Sequence, residues 1–132
     1  MQYDIRPTVQ RLTHVPFEQL RLVTNISELN LSNINAGIIF VFAGWSGPSV
    51  IAFSGVTKIL STLNLTSLDF VIIDNDSMTG EDMIQLFGHV FSGAGETLWI
   101  KSGQIFTEIP VFHKTRESQY LDNTNRLLAS LA

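Results

Sequence analysis

Apolar positions in this chain fall into short runs separated by polar turns, and two of the runs are apolar on both faces. Ile38 to Ala43 reads Ile-Ile-Phe-Val-Phe-Ala, the pattern of a central strand covered by helices on each side. Leu68 to Asp74 (Leu-Asp-Phe-Val-Ile-Ile-Asp) predicts a second buried strand. Between them Ala52, Val56, Ile59, Leu60 and Leu63 recur at three- and four-residue steps, which is the stripe of an amphipathic helix. Gly44 to Gly47 makes the turn into that helix, and Pro48 suits its first turn, where a missing N–H costs nothing.

The flanking segments complete the pattern. Gln19 to Val23 alternates as an edge strand does, and Ser27 to Asn35 predicts a short helix. Thr79 to Gly88 reads as a short helix with Thr79 as its cap and Glu81 and Asp82 in the first turn. Thr97 to Lys101 and Gln104 to Ile109 form a hairpin about Ser102-Gly103. Thr115 to Leu131 closes the chain as a helix with Tyr120, Leu121, Leu127, Leu128 and Leu131 on its apolar side. Residues 1–19, broken by Pro7 and Pro16, read as an N-terminal arm or extra element ahead of a domain over 20–132. Strand–helix–strand units followed by a hairpin and a last helix predict an α/β fold with a central mixed sheet and helices on both faces.

Composition narrows the function. With 45% hydrophobic and 15% charged residues in 132, the chain is globular and fits one domain. Net charge is −4 and no basic run follows a phosphate backbone, so nucleic acid is not an expected partner. The longest apolar run, Ile38 to Ala43, is too short for a bilayer, and Met1 to Pro7 carries no apolar signal region, so the expectation is a cytoplasmic protein without membrane contact. There is no cysteine, which excludes disulfides, thiolate catalysis and zinc–thiolate sites.

Three stretches, in order, carry a resemblance. Ile39 to Ser49 ends in Trp45-Ser46-Gly47-Pro48-Ser49, between a buried strand and a long helix. Phe70 to Asp76 is a second strand with an acidic end, and Gly95-Glu96-Thr97 leads into the hairpin. Over residue 20 to the C-terminus this resembles the thioredoxin family, whose Trp-Cys-Gly-Pro-Cys motif occupies the first place and whose Gly-x-Pro-Thr segment occupies the third. The resemblance implies a thioredoxin-like three-layer α/β/α sandwich. It also shows what this sequence lacks. Ser46 and Ser49 stand where the two thiols belong, and a hydroxyl neither ionises near neutrality nor forms a disulfide. Phe40 stands at the family's buried carboxylate, and Glu96 at its cis-proline. A cis bond before a non-proline residue costs about 2.5–4 kcal/mol, so the Gly95-Glu96 loop is expected to be trans and rearranged.

The sharper chemical readings are weak. Gly44-Trp45-Ser46-Gly47-Pro48 is not a Gly-x-Ser-x-Gly elbow, and His14, His89 and His113 are scattered. Asp74-Asn75-Asp76 lacks a third oxygen ligand, since Met78 takes its place, so solvated acids account for it better than a calcium loop. Trp99 reads as core, while Trp45 beside the turn reads as a binding aromatic. No cofactor and no metal is expected. The leading expectation is a non-catalytic protein-binding module whose surface is formed by Trp45, Ser46, Pro48, Ser49, Gly95, Glu96 and Asp76, with the acids favouring a basic protein partner. An immunity or inhibitor protein that neutralises a toxin, or an assembly or chaperone factor, would be concrete forms of it. The alternatives are an enzyme using non-thiol chemistry in the same cleft and a structural subunit that self-assembles as a homo-oligomer.

Overall fold

The computed structural model describes residues 4–131; Met1 to Tyr3, part of the expected arm, and Ala132 lie outside the described residues. The strand β2 (Ala36–Phe42) is buried at all seven positions. Its alternating side chains feed two separate cores. Ile38, Phe40 and Phe42 point into one, and Ile39 and Val41 into the other. A strand like this needs a neighbour on each edge and a layer on each face. Its neighbours are β3 (Asp69–Asp74), which is parallel, and β4 (Thr97–Lys101), which is antiparallel. The strand β1 (Leu20–Val23) pairs parallel with β3 at one edge, and β5 (Gln104–Ile109) pairs antiparallel with β4 at the other. The five-stranded mixed sheet has the order β1-β3-β2-β4-β5.

Three helices supply the larger core: α1 (Arg6–Leu12), α2 (Gly47–Leu60) and α4 (Glu117–Ala129). Phe53 of α2 packs edge-on against both Phe40 and Phe42, each at 5.3 Å between ring centroids. The opposite face is covered by α3 (Gly80–Phe87), through Met83 and Phe87, together with Leu29, Ile34 and Phe91 from turns. This is the three-layer α/β/α arrangement that the strand and helix order implied.

The segment around α1 joins the core, because Ile5 and Val9 are fully buried within the α1/α2/α4 face. The predicted helix over Ser27 to Asn35 is instead two 3-10 turns, Ile26–Glu28 and Leu31–Asn33. In each, an asparagine (Asn25 or Asn30) accepts both the N–H and the hydroxyl of the serine two residues on, which closes a local turn before a helix can propagate. Helix α2 stops at Leu60 rather than Leu63, and a 3-10 turn over Lys114–Arg116 precedes α4. The α3 start is as predicted: Thr79 and Asp82 form a reciprocal capping box. The β4–β5 hairpin turns at Ser102 and Gly103, both at positive φ, and their N–H groups donate to the carbonyls of Asn35 and Ile34.

Trp99 is the largest fully buried side chain, and its indole N–H donates to the Thr124 hydroxyl at 2.9 Å. That hydroxyl in turn donates to the Tyr120 carbonyl at 2.8 Å. Thr124→Val keeps the shape but strands the indole N–H, so unfolding in urea should show a loss of roughly 1–3 kcal/mol.

Candidate functional site

The turn from β2 into α2 is built by two serine hydroxyls. Ser46 caps the helix: its Oγ accepts from the Ser49 N–H at 3.4 Å, and its backbone N–H donates to the Ala43 carbonyl. The same hydroxyl donates its proton to the Gly93 carbonyl at 2.7 Å. Ser49 Oγ accepts the Ala43 N–H at 2.9 Å, just past the last residue of the central strand. Both serines are buried, Ser49 completely. The expectation that they line an open surface is therefore corrected. An N–H at the end of a buried strand and a buried carbonyl both need partners, and the hydroxyls turn inward to supply them. Gly47 and Pro48 remain exposed at the tip.

The facing loop runs from Gly88, which ends α3 in the left-handed conformation, to Glu96. Gly93 and Gly95 both have positive φ. A side chain on Gly95 would also collide with the Ala52 Cβ, and one on Gly93 would sit 3.1 Å from the Trp45 ring. Glu96 is 3% exposed. Its carboxylate accepts the Ser92 N–H at 2.6 Å, the Ser92 hydroxyl at 3.3 Å and the Ala94 N–H at 3.2 Å. Its carbonyl accepts the Val41 N–H, tying the loop to β2. The bonds here are trans, as expected for a non-proline residue. Glu96 therefore holds its own loop and does not present a charge outward. The reason is local: the loop's N–H groups converge on the carboxylate, and a buried carboxylate must be hydrogen-bonded.

The exposed part of the site is an aromatic. Trp45 is 62% exposed, and its indole N–H donates to Asp76 Oδ1 at 2.8 Å. The ring lies over Gly93, so it is held at two points while its other face meets solvent. Within the acidic cluster, Asp74 is buried and accepts the Asp76 N–H at 3.0 Å, and Asp82 is part of the capping box, while Asp76 and Glu81 are exposed. Phe91, in the loop after α3, is buried in the core. These contacts join Trp45 to Asp76 and, through Gly93, to Ser46, while Pro48 is exposed at the tip and Gly95 and Glu96 are buried. Gly93, which seats Trp45 and accepts from Ser46, was not foreseen; the Gly-x-Gly spacing of Gly93 and Gly95 was its one trace in the sequence.

Chemically, Ser46 Oγ gives its proton to a carbonyl, not to a base. The imidazoles are engaged elsewhere: His14 with Ser54, His89 with Glu108 and His113 with Thr115. No cysteine is present, so thiol–disulfide exchange has no nucleophile to run on.

Solved thioredoxin structures align with this chain. Mitochondrial thioredoxin 3 from Saccharomyces cerevisiae, in its oxidized form, aligns with a TM-score of 0.59 at 18% identity, over 88% of this chain and 98% of that one. Oxidised thioredoxin from Plasmodium falciparum aligns with a TM-score of 0.61 at 18% identity, over 80% and 97%. Thioredoxin from Fasciola hepatica gives 0.57 at 16% identity, over 78% and 97%. No family model matches the chain, and no curated protein matches it in sequence. The fold is thioredoxin-like, and identities this low speak to the fold alone.

Two measurements probe the loop. Glu96→Ala leaves the Ser92 and Ala94 N–H groups without their acceptor, and urea unfolding should register a loss of roughly 1–3 kcal/mol. The loop is also clasped to β5 by His89, whose Nε2 lies 2.9 Å from Glu108 Oε1. The hydrogen bond to Glu108 holds the His89 pKa above its ordinary value. A raised folded-state pKa stabilises fully below the unfolded value of about 6.5 and is lost as pH rises through the folded value. The stability gap between wild type and His89→Gln should therefore be open in mild acid and close toward alkaline pH; a gap independent of pH would exclude the ionic clasp.

Proposed function

We propose that this protein is a non-catalytic, thioredoxin-like protein-binding module that uses the exposed end of its α2 turn. The observation that supports the reading is Trp45. A large aromatic left mostly in solvent, yet fixed by Asp76 and Gly93, arrives at a partner with little conformational freedom left to lose. The two serines beside it are committed to internal hydrogen bonds, so the thiol positions of the resembled motif now serve the scaffold. In this reading the contact surface is Trp45, Pro48 and Asp76, with Ser46, Ser49, Gly95 and Glu96 shaping it from below. Asp76 and Glu81 favour a basic protein segment. An immunity or inhibitor protein that neutralises a toxin, or an assembly factor, fits such a surface. A cytoplasmic setting suits a chain in which, among the described residues, no helix is long and apolar enough to cross a membrane.

The test is affinity capture of partners from the native organism with wild type and Trp45→Ala side by side. Truncating a central interface aromatic removes about 2 kcal/mol or more, so the captured partner should bind at least about thirtyfold more weakly. A partner held equally well by Trp45→Ala and by Asp76→Lys would move the binding surface elsewhere on the fold.

A further inference from the structure

A second surface lies along α2, on a side the Trp45 site does not use. Ile51, Ser54 and Lys58 repeat at three- and four-residue steps and share one face of the helix. That face forms one wall of a groove of about 860 Å³, with Leu12 at the end of α1 and Phe112 and Lys114 ahead of α4 on the other side. The walls are fixed in place. His14 donates its backbone N–H to Thr57 Oγ1 at 3.2 Å, and its Nε2 lies 3.4 Å from Ser54 Oγ, which ties the end of α1 to α2. The tip of the Phe112 ring reaches the α2 backbone because Gly55 has no side chain; any Cβ there would strike the ring.

The groove has a distinct character. Ile51 is 69% exposed, the most exposed of the large apolar side chains, and Val50, Ile59 and Phe112 continue the apolar lining. Lys58 and Lys114 both line it, against one carboxylate, Glu117. Neither lysine is in an ion pair; the one such pair among the described residues is His89–Glu108. A locally cationic, apolar groove on a chain of net charge −4 selects for anionic groups set beside an apolar stripe. Side chains of helices and a turn form its walls, with no sheet edge to which a strand could add, so the fitting shape is a helix. From Val50 to Ile59 the helical wall runs about 14 Å, matched by a partner helix of about nine residues.

We propose that this groove docks an amphipathic helix of a partner protein, its apolar face against Ile51 and Phe112 and its flanking carboxylates against Lys58 and Lys114. The surface is separate from Trp45 and does not depend on the reading of that site.

The probe is a labelled synthetic helix with leucines on one face and glutamates flanking them, alongside a twin with lysines in place of the glutamates. Binding to the full chain is followed by fluorescence anisotropy. The glutamate helix should bind, the lysine twin should bind at least about tenfold more weakly, and Lys58→Glu with Lys114→Glu should reverse that order. Trp45→Ala should leave binding unchanged, which separates this groove from the Trp45 surface. Both lysines are exposed, so the charge-reversed variant should keep its fold by circular dichroism; Ile51→Asp gives a second, single-site check and should also weaken the glutamate helix. Equal binding of the two helices, or no response to the lysine reversals, would overturn the proposal. So would a dimer that those reversals dissolve, since a second copy would then occupy the groove.

Discussion

Everything in this fold is arranged around a strand that has no wet face. Seven consecutive buried residues in β2 must exclude water from both sides of one backbone. The strand's N–H and C=O groups can then be satisfied only by neighbouring strands or by side chains brought to them. The parallel β3 and antiparallel β4 meet that demand along its length. Where pairing runs out, at Ala43, the Ser49 hydroxyl takes over as acceptor. The cores above and below follow from the same alternation, with α1, α2 and α4 closing one face and α3 with its neighbouring turns closing the other.

This constraint gives both serines of the turn an inward task. A hydroxyl donates and accepts strong hydrogen bonds in a way a thiol does not. Ser46 uses both capacities, accepting from the Ser49 N–H and donating to the Gly93 carbonyl across the gap to the facing loop. Glu96 extends the same bracing by gathering the N–H groups of Ser92 and Ala94 and by lending its carbonyl to β2. Turn and loop are thereby joined by internal bonds at the place where an open cleft would need free groups. Phe40 belongs to the aromatic cluster with Phe53 and keeps that side of the sheet apolar.

The consequence is a division between scaffold and surface. The inward groups are spent on holding the loop, and what reaches solvent is an indole with its polar edge already bonded to Asp76. On another side of α2, exposed Ile51 and two lysines outside any ion pair face a groove whose Phe112 wall seats against Gly55. Both surfaces rest on rigid elements, and both lie on or beside one helix whose start is fixed by Ser46.

The order of strands and helices was legible from periodicity, because a strand buried on both faces and a helix with one apolar stripe leave different repeats in the chain. The Thr79 cap and the Ser102-Gly103 hairpin were legible for the same reason: they depend on residues a few positions apart. The absence of thiols was settled by composition alone. The 3-10 turns after Asn25 and Asn30 were local too, yet periodicity missed them, since the asparagine side chain competes with the helix only at that spot. The direction in which Ser49 and Glu96 point was beyond the sequence. A polar residue at a loop reads as exposed unless the N–H groups it must satisfy are known; for Ser49 that group sits at the end of β2, and for Glu96 in a loop whose path the glycines set. Likewise, only the tertiary structure could seat Trp45 on Gly93 and bring α1, α2 and the approach to α4 around one groove, because each of these contacts joins residues whose separation along the chain carries no periodic signal.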